Sequence, residues 1–509
     1  MSKKIRITAI FLIVCIVIIM VAACGGNSNN GNAPDSKDSV NDDKSENGDG
    51  QNDEADDGSR DNVRDSLPDG LDFNGTEIRI LHRDDFEAWV DEIAIESEIG
   101  EIVNDALYHR NKKVEERLNI QITPMPATGG WDSRNSFLNK IRNSVNAGSD
   151  DIDLIAGYAY YIPTIAPEGM LYNLNNVNYL NPTAPWWSEN CANEMTIDGK
   201  MYLITGDLAY TLLRNMFVVY FNKQIAQDMG LDNLYRIVLD GDFTVDKIVE
   251  LSKDVYKDLN GNGKPDKSDQ YGFAMTTGVY VDGLFDAFAQ PIVKKDANGI
   301  PQLVINSPRM VEIVEKTYDF FYNNESIYAV SEYTSGNEQS IMDMFIENRL
   351  LFMPGILSMN EELRAMESDY GILPYMKWDK NQPEYNTTSK DSYSMFCIPV
   401  TCNKLDAVGA SMEAMCAESY RTVTPVYYEV ALKQKYSRDE ETSQMLDMIR
   451  AGIRFDFGSV NSVNMENVNK IFRDLMTDKK TDFVSRYEKS EAKYQNALDK
   501  LVEAYQNLP

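Results

Sequence analysis

The run Asp258-Leu259-Asn260-Gly261-Asn262-Gly263-Lys264-Pro265-Asp266-Lys267-Ser268-Asp269 carries the sharpest chemistry in the chain. Its oxygen-bearing side chains fall at loop positions 1, 3, 5, 9 and 12 with glycine at 6, the spacing of an EF-hand-like calcium loop. The turn at Gly263 lets Asp258, Asn260 and Asn262 converge, the Lys264 carbonyl adds an oxygen, and Asp266 and Asp269 complete the set. Aspartate stands at Asp269 where glutamate is usual, and two asparagines lower the charge. The expected affinity is therefore weak, as in extracellular modules, and the expected role structural. Without metal the same residues form an Asn/Gly/Asp turn. No catalytic cofactor is expected.

A second chemically pointed residue is Cys24. Lys3, Lys4 and Arg6 precede an apolar run from Ile7 to Val21, followed by Ala22-Ala23-Cys24-Gly25. The run of roughly 15 apolar residues is short for a membrane span, which takes about 20. The pattern resembles a bacterial lipoprotein signal, cut before Cys24, whose thiol receives the lipid. Residues 1–23 are then the signal, and the mature chain works at the extracellular face of the membrane, held by lipid. Residues 24–70 are Asn, Asp, Ser and Gly with few large apolar side chains, a composition expected to stay disordered as an acidic stalk.

Composition narrows the function classes. The chain has 509 residues and a formal charge of −31, which argues against nucleic acid as a partner because like charges repel. Only two histidines, His82 and His109, are present, too few to favour a histidine-based triad or a zinc site. Cys15 leaves with the signal, and Cys191, Cys397, Cys402 and Cys416 form neither a CxxC pair nor a dense disulfide framework.

The body must supply the elements that position any site. Asn74 to Leu81 reads as a turn and a first strand, and Ile99, Ile102, Val103, Ala106, Leu107, Val114 and Leu118 recur at helical spacing. Asn119 to Thr123 reads as a second strand, Phe137 to Val145 as a helix and Ile152 to Ala156 as a third strand. Strand–helix–strand order predicts an α/β architecture with a largely parallel sheet under helices. Ligands in such sheets sit beyond the strands' carboxyl ends. The loop there, Gly157-Tyr158-Ala159-Tyr160-Tyr161, offers rings and hydroxyls suited to sugar faces, or else half-buried packing residues.

Further segments carry a family resemblance. They are Asn104 to Asn111 before Val114 to Asn119, Gly169 to Leu174, Pro185-Trp186-Trp187, Gly199 to Tyr202, Gly206-Asp207, Tyr220 to Lys223 and Tyr370 to Pro374. In this order they resemble the extracellular solute-binding proteins of bacterial ABC importers, the carbohydrate-binding, family 1-like group. The resemblance implies a two-lobed, periplasmic-binding-protein-like (type II) fold with a hinge and discontinuous lobes. One lobe is expected from 71–218 and 355–405, the other, with the calcium-like loop, from 219–354 and 406–509. Crossings are expected near Tyr220 to Asn222, after Leu350 to Met353, and near Pro399 to Ala407. Implied too are an oligosaccharide ligand, delivery to ABC permease subunits, no enzymatic activity and a monomeric state. A secreted glycan-active enzyme and a sensory subunit without transport stay open as alternatives.

Candidate cleft residues are Trp131, Asp153, Tyr158, Tyr160, Tyr161, Asp207, Arg214 and Asn215. Asp207 and Arg214 either bond sugar hydroxyls or form a structural ion pair. Trp186-Trp187 is either a second stacking platform or a structural corner, and Phe455-Asp456-Phe457 adds a contact from the second lobe.

Overall fold

The computed structural model describes residues 60–433 and 440–509. The signal, Cys24 and stalk residues 24–59 lie outside the described residues, whereas 60–70, expected to be disordered, pack on the body: Leu67 is buried and Asp65 pairs with Arg117. Among those described, no helix is long and apolar enough to cross a membrane.

Two mixed sheets carry the architecture. In the first, β1 (Thr76–Arg83), β2 (Ile120–Ala127), β3 (Leu154–Tyr158) and a late strand (Ser394–Cys397) lie in the order late strand, β3, β1, β2. β1 is parallel to both neighbours, with Ile78 opposite Ile122 and Ile80 opposite Leu154, while the late strand runs antiparallel to β3. Ile78, Ile80 and Leu81 are all buried, so side chains on both faces are covered, as parallel strands require. The turn before β1 places Asn74 and Gly75 at positive φ. The Ile102–Leu118 helix begins three residues after Ile99 because the Glu101 side chain caps it, accepting from the Asn104 amide, and Ile99 stays exposed.

The second sheet sets β4 (Phe217–Asn222) between a Tyr370–Leu373 strand and a Leu350–Ile356 strand, both antiparallel to it. β5 (Tyr271–Thr276) and an Ile327–Val330 strand extend the sheet in parallel. Parallel pairing therefore joins the strands within 76–158 and again those at 271–276, 327–330 and 350–356, while 217–222, 370–373 and 394–397 pair antiparallel.

The lobe boundaries and crossings differ from the expected ones. Tyr220-Phe221-Asn222 is the inner part of β4, every residue of which is buried, rather than a crossing. The chain crosses at Asn215 to Phe217, and returns to the first sheet along 387–393 rather than at Pro399 to Ala407. Residues 370–373 sit in the second sheet, not the first lobe. Conversely, the Leu405–Glu418 helix packs on the Ile102–Leu118 helix of the first lobe, not in the second. The physical reason is side-chain type: alanine, glycine and serine in that helix allow close helix–helix approach, and Gly409 lies against the Asn178 backbone. Further on, the Glu440–Ala451 helix packs on the Tyr370–Leu373 strand, and the Lys470–Thr477 helix on Val279–Ala287.

Two buried carboxylates show how the first lobe is fixed. Glu413, within the apolar Leu405–Glu418 helix, accepts from both indoles of Trp186 and Trp187, at 3.1 and 2.8 Å, and from the Asn181 amide. Both rings are buried, so the tandem pair is a structural corner and not a stacking platform. Asp153, wholly buried, accepts from the Arg79 guanidinium at 2.8 and 2.9 Å and from Lys404 at 3.1 Å. It also accepts from the Arg79 backbone amide, which ties β1 to the start of β3.

Removing one member of a buried pair leaves its partners uncompensated. Asp153→Ala is expected to lower unfolding free energy by about 3 kcal/mol, the low end for such pairs because Arg79 and Lys404 keep some contact with water. Urea titration followed by far-ultraviolet circular dichroism measures it.

Candidate functional site

Where the chain crosses between sheets, backbone hydrogen bonds form the floor of a cleft. Met216 pairs with Ser389, the Phe217 amide donates to the Thr388 carbonyl at 3.0 Å, and Lys390 donates to the Asn215 carbonyl at 2.9 Å. Thr387 in turn pairs with Ile453, so the 453–456 segment lies alongside. Above this floor, Ala159 and Tyr160 come from the first lobe, and Asp282, Phe285 and Asp286 from the Val279–Ala287 helix of the second.

That helix is apolar except at Asp282 and Asp286, whose four-residue spacing sets both on one face. Gly283 between them lets the helix lie on the floor, because a Cβ there would clash with the rings of Tyr375 and Phe217. Asp282 pairs with Arg473, whose Nε donates at 3.0 Å. Burial raises the Asp282 pKa, and Arg473 acts against the rise. Among the described residues Asp286 has no hydrogen-bond or ion-pair partner for its carboxyl; burial, then the nearby Asp456 and Asp282, push its pKa far up. Asp391 accepts from the Tyr158 hydroxyl at 3.0 Å and is also raised by burial. Asp456 accepts from the amides of Ile292, Val293 and Ser459, and burial still lifts it to about 6.

The aromatic part comes from the loop after β3. Tyr160 donates to Asn467 across the lobes at 2.7 Å and meets the Trp131 ring edge-on at 5.2 Å. Trp131 is 49% exposed at the rim. Behind Tyr158, the buried Arg83 guanidinium lies 3.8 Å from the Trp89 ring centroid and 4.9 Å from that of Tyr158, donating to the Ser392 carbonyl. The space left in the cleft is about 70 Å3, far below the roughly 300–1,000 Å3 of a small-molecule pocket.

Of the expected residues, the structure brings Trp131, Tyr158 and Tyr160 together at this cleft, joined by Phe455 and Asp456. Asn215 lies at the floor, its amide donating to Ser392 at 3.2 Å. The other four go elsewhere. Asp153 sits at the amino end of β3, opposite the cleft, in its ion pairs. Tyr161 is buried, its hydroxyl donating to the Gly129 carbonyl at 2.6 Å. Asp207 accepts from Thr424 at 2.8 Å and from Arg450 beside a second, polar hollow near Trp187. Arg214 forks onto Glu361. Both are structural ion pairs, with partners other than each other. Asp282, Asp286, Lys390 and Asp391 escaped sequence reasoning; two carboxylates one turn apart in the otherwise apolar run Val279 to Ala287 were the available signal.

In the 258–269 loop, Asp258 accepts from the Gly261 and Gly263 amides, and Asn260 and Asn262 accept from Asn262 and Lys264. Their side-chain amides then donate to Asp266, while buried Asp269 accepts from Leu259, Asp266 and Tyr256. No group of three or more His, Cys, Asp or Glu among the described residues is arranged to hold a metal ion. The backbone wraps Asp258, and the carboxylate, amide and carbonyl donors suit a hard cation in chemistry.

No family model matches the chain, and no curated protein does. Solved structures share its fold. A cyclo/maltodextrin-binding protein complexed with maltotetraose aligns with a TM-score of 0.53 at 12% identity, over 85% of this chain and 97% of that one. A sugar transporter from Rhizobium etli in an open conformation gives 0.52 at 15%, over 86% and 100%. An ABC transporter solute-binding protein from Thermotoga lettingae bound with α-D-tagatose gives 0.50 at 13%, over 84% and 100%. The chain thus shares the two-lobed, periplasmic-binding-protein-like α/β fold of these structures.

A carboxyl group whose folded pKa is raised stabilises the fold below its unfolded value, about 4, and loses that contribution as the pH climbs through the folded value. Asp91 and Asp456 stand at about 6 and Glu413 at about 7, with Asp282, Asp286 and Asp391 raised as well. Asp65 and Asp153 are lowered, so their contribution is lost in acid, below about 4, and buried His82, also lowered, opposes acidification below about 6.5. The ligand-free protein is expected to melt highest near pH 5 and several degrees lower at pH 8, as differential scanning calorimetry measures.

Proposed function

We propose that this chain is an extracellular, lipid-anchored solute-binding protein that captures a carbohydrate between its lobes and hands it to an ABC permease. The observation that carries the reading is the cleft: Tyr160 from one lobe, Asp282 and Asp286 from the other, and Asp391 from the crossing segment face one space. Aromatic faces with carboxylate acceptors suit sugar rings, apolar on their faces and rich in donors at their edges. Opening and closing about 215–217 and 387–393 admits and buries the ligand, and the closed shape is what a permease would recognise. Cys24 supplies the anchor in this reading. The sugars held by the solved relatives, maltotetraose and tagatose, support the carbohydrate class.

The carboxyls also favour a second reading. Two carboxyls one helical turn apart at one cleft, Asp282 and Asp286, with Asp391 and Asp456 on the same space, are the residue types glycoside cleavage uses. Recovery of the bound glycan intact or cleaved separates receptor from enzyme.

Calcium at 258–269 belongs to the same proposal, with Asp258, Asn260, Asn262, Asp266, Asp269 and the Lys264 carbonyl as ligands. Its role is to clamp a loop of the second lobe, and no step of sugar capture passes through it.

The test is thermal stabilisation of the full chain in detergent against an oligosaccharide panel, with and without calcium. A true ligand at 100 times its dissociation constant is expected to add about 2.7 kcal/mol. Failure of every glycan to stabilise the protein withdraws carbohydrate as cargo. Calcium is expected to raise the melting temperature and Asp258→Ala to erase that rise.

A further inference from the structure

The cleft is unbalanced in charge. Four carboxyl groups, Asp282, Asp286, Asp391 and Asp456, line it against one lining cation, Lys390. Lys390 points its ammonium to the Tyr280 ring, 5.6 Å from the centroid, and Arg473 is spent on Asp282. Asp456 is held by three backbone amides and Asp391 by Tyr158. Asp286 is left with no donor of its own, one helical turn from Asp282 and within electrostatic reach of Asp456. Phe285, Tyr393 and Phe455 line the same space.

A neutral sugar hydroxyl satisfies a carboxylate's hydrogen bonding but leaves its charge in a poorly solvated cleft. An ammonium group satisfies both, and aromatic faces attract it further. We infer that the cargo carries a protonated amine, as an amino sugar does, and that Asp286, flanked by Asp282 and Asp456, receives it. This inference rests on the receptor reading above and narrows its ligand class. Because its pKa is raised in the empty cleft, Asp286 takes up the ammonium with loss of its own proton, the cation supplying the opposite charge that favours the carboxylate.

The test uses three β-1,4-linked trisaccharides that differ only at carbon 2: the glucose trimer, the glucosamine trimer and the N-acetylglucosamine trimer. Each is titrated calorimetrically into the full chain in detergent at neutral pH, with spermidine as a non-sugar amine. The glucosamine trimer is expected to bind at least tenfold more tightly than the other two. Its preference is expected to shrink toward unity in Asp286→Asn. In the unmodified chain it is expected to weaken as salt rises, which tests the charge even if the variant does not fold. Equal or tighter binding of the glucose or N-acetylglucosamine trimer overturns the inference and leaves the sugar receptor standing. Binding of spermidine alone upholds the amine and overturns the sugar. Binding of none of the four overturns the inference.

Discussion

Everything that positions the cleft depends on the short antiparallel junction where Asn215 to Phe217 lies against Thr388 to Lys390. It joins the first sheet to the second, sets the floor on which the Val279–Ala287 helix rests, and aims Asp391 at Tyr158. A junction of few hydrogen bonds can bend without breaking either sheet, because each open sheet keeps its own strand pairing. Asn215 and Arg83 both reach Ser392, so side chains from the first lobe hold the same few residues that turn.

The molecule treats buried charge in two ways. Away from the cleft, three buried acids are compensated: Asp153 by Arg79 and Lys404, Asp207 by Arg450, Glu413 by two indoles and an amide. Inside it, compensation is partial, and Asp286 has none. Asp286 is half-buried, and a carboxyl group that faces other carboxyls with no donor of its own is costly to ionise there. Its retention at the meeting place of two lobes gives the site its chemical character.

Much of the architecture was legible in the sequence, and the failures have physical causes. The first-lobe strands and helices were found within a few residues because alternating and helical periods there are clean, as in Ile102 to Leu118. Phe217 to Asn222 misled because a fully buried central strand has no period to betray its place. The Leu405–Glu418 helix was assigned to the wrong lobe because small residues show that a helix packs closely without saying on what. In the site, Trp131, Tyr158 and Tyr160 were visible from ring chemistry at a strand end. Tyr161, next in sequence, turns inward to Gly129, an orientation no composition rule distinguishes. Asp391 lies in a segment with no local pattern, and only the fold brings it to Tyr158.

Five tryptophans are present in the chain, and four of them, Trp89, Trp186, Trp187 and Trp378, are buried away from water. Trp131 alone stands half in solvent, at the rim, against Tyr160. In the receptor reading proposed above, its indole is the one whose surroundings change most when the lobes part or a ring stacks beside it. In that reading the chain carries its own optical gauge: four emitters shielded from water and a fifth at the mouth of the cleft.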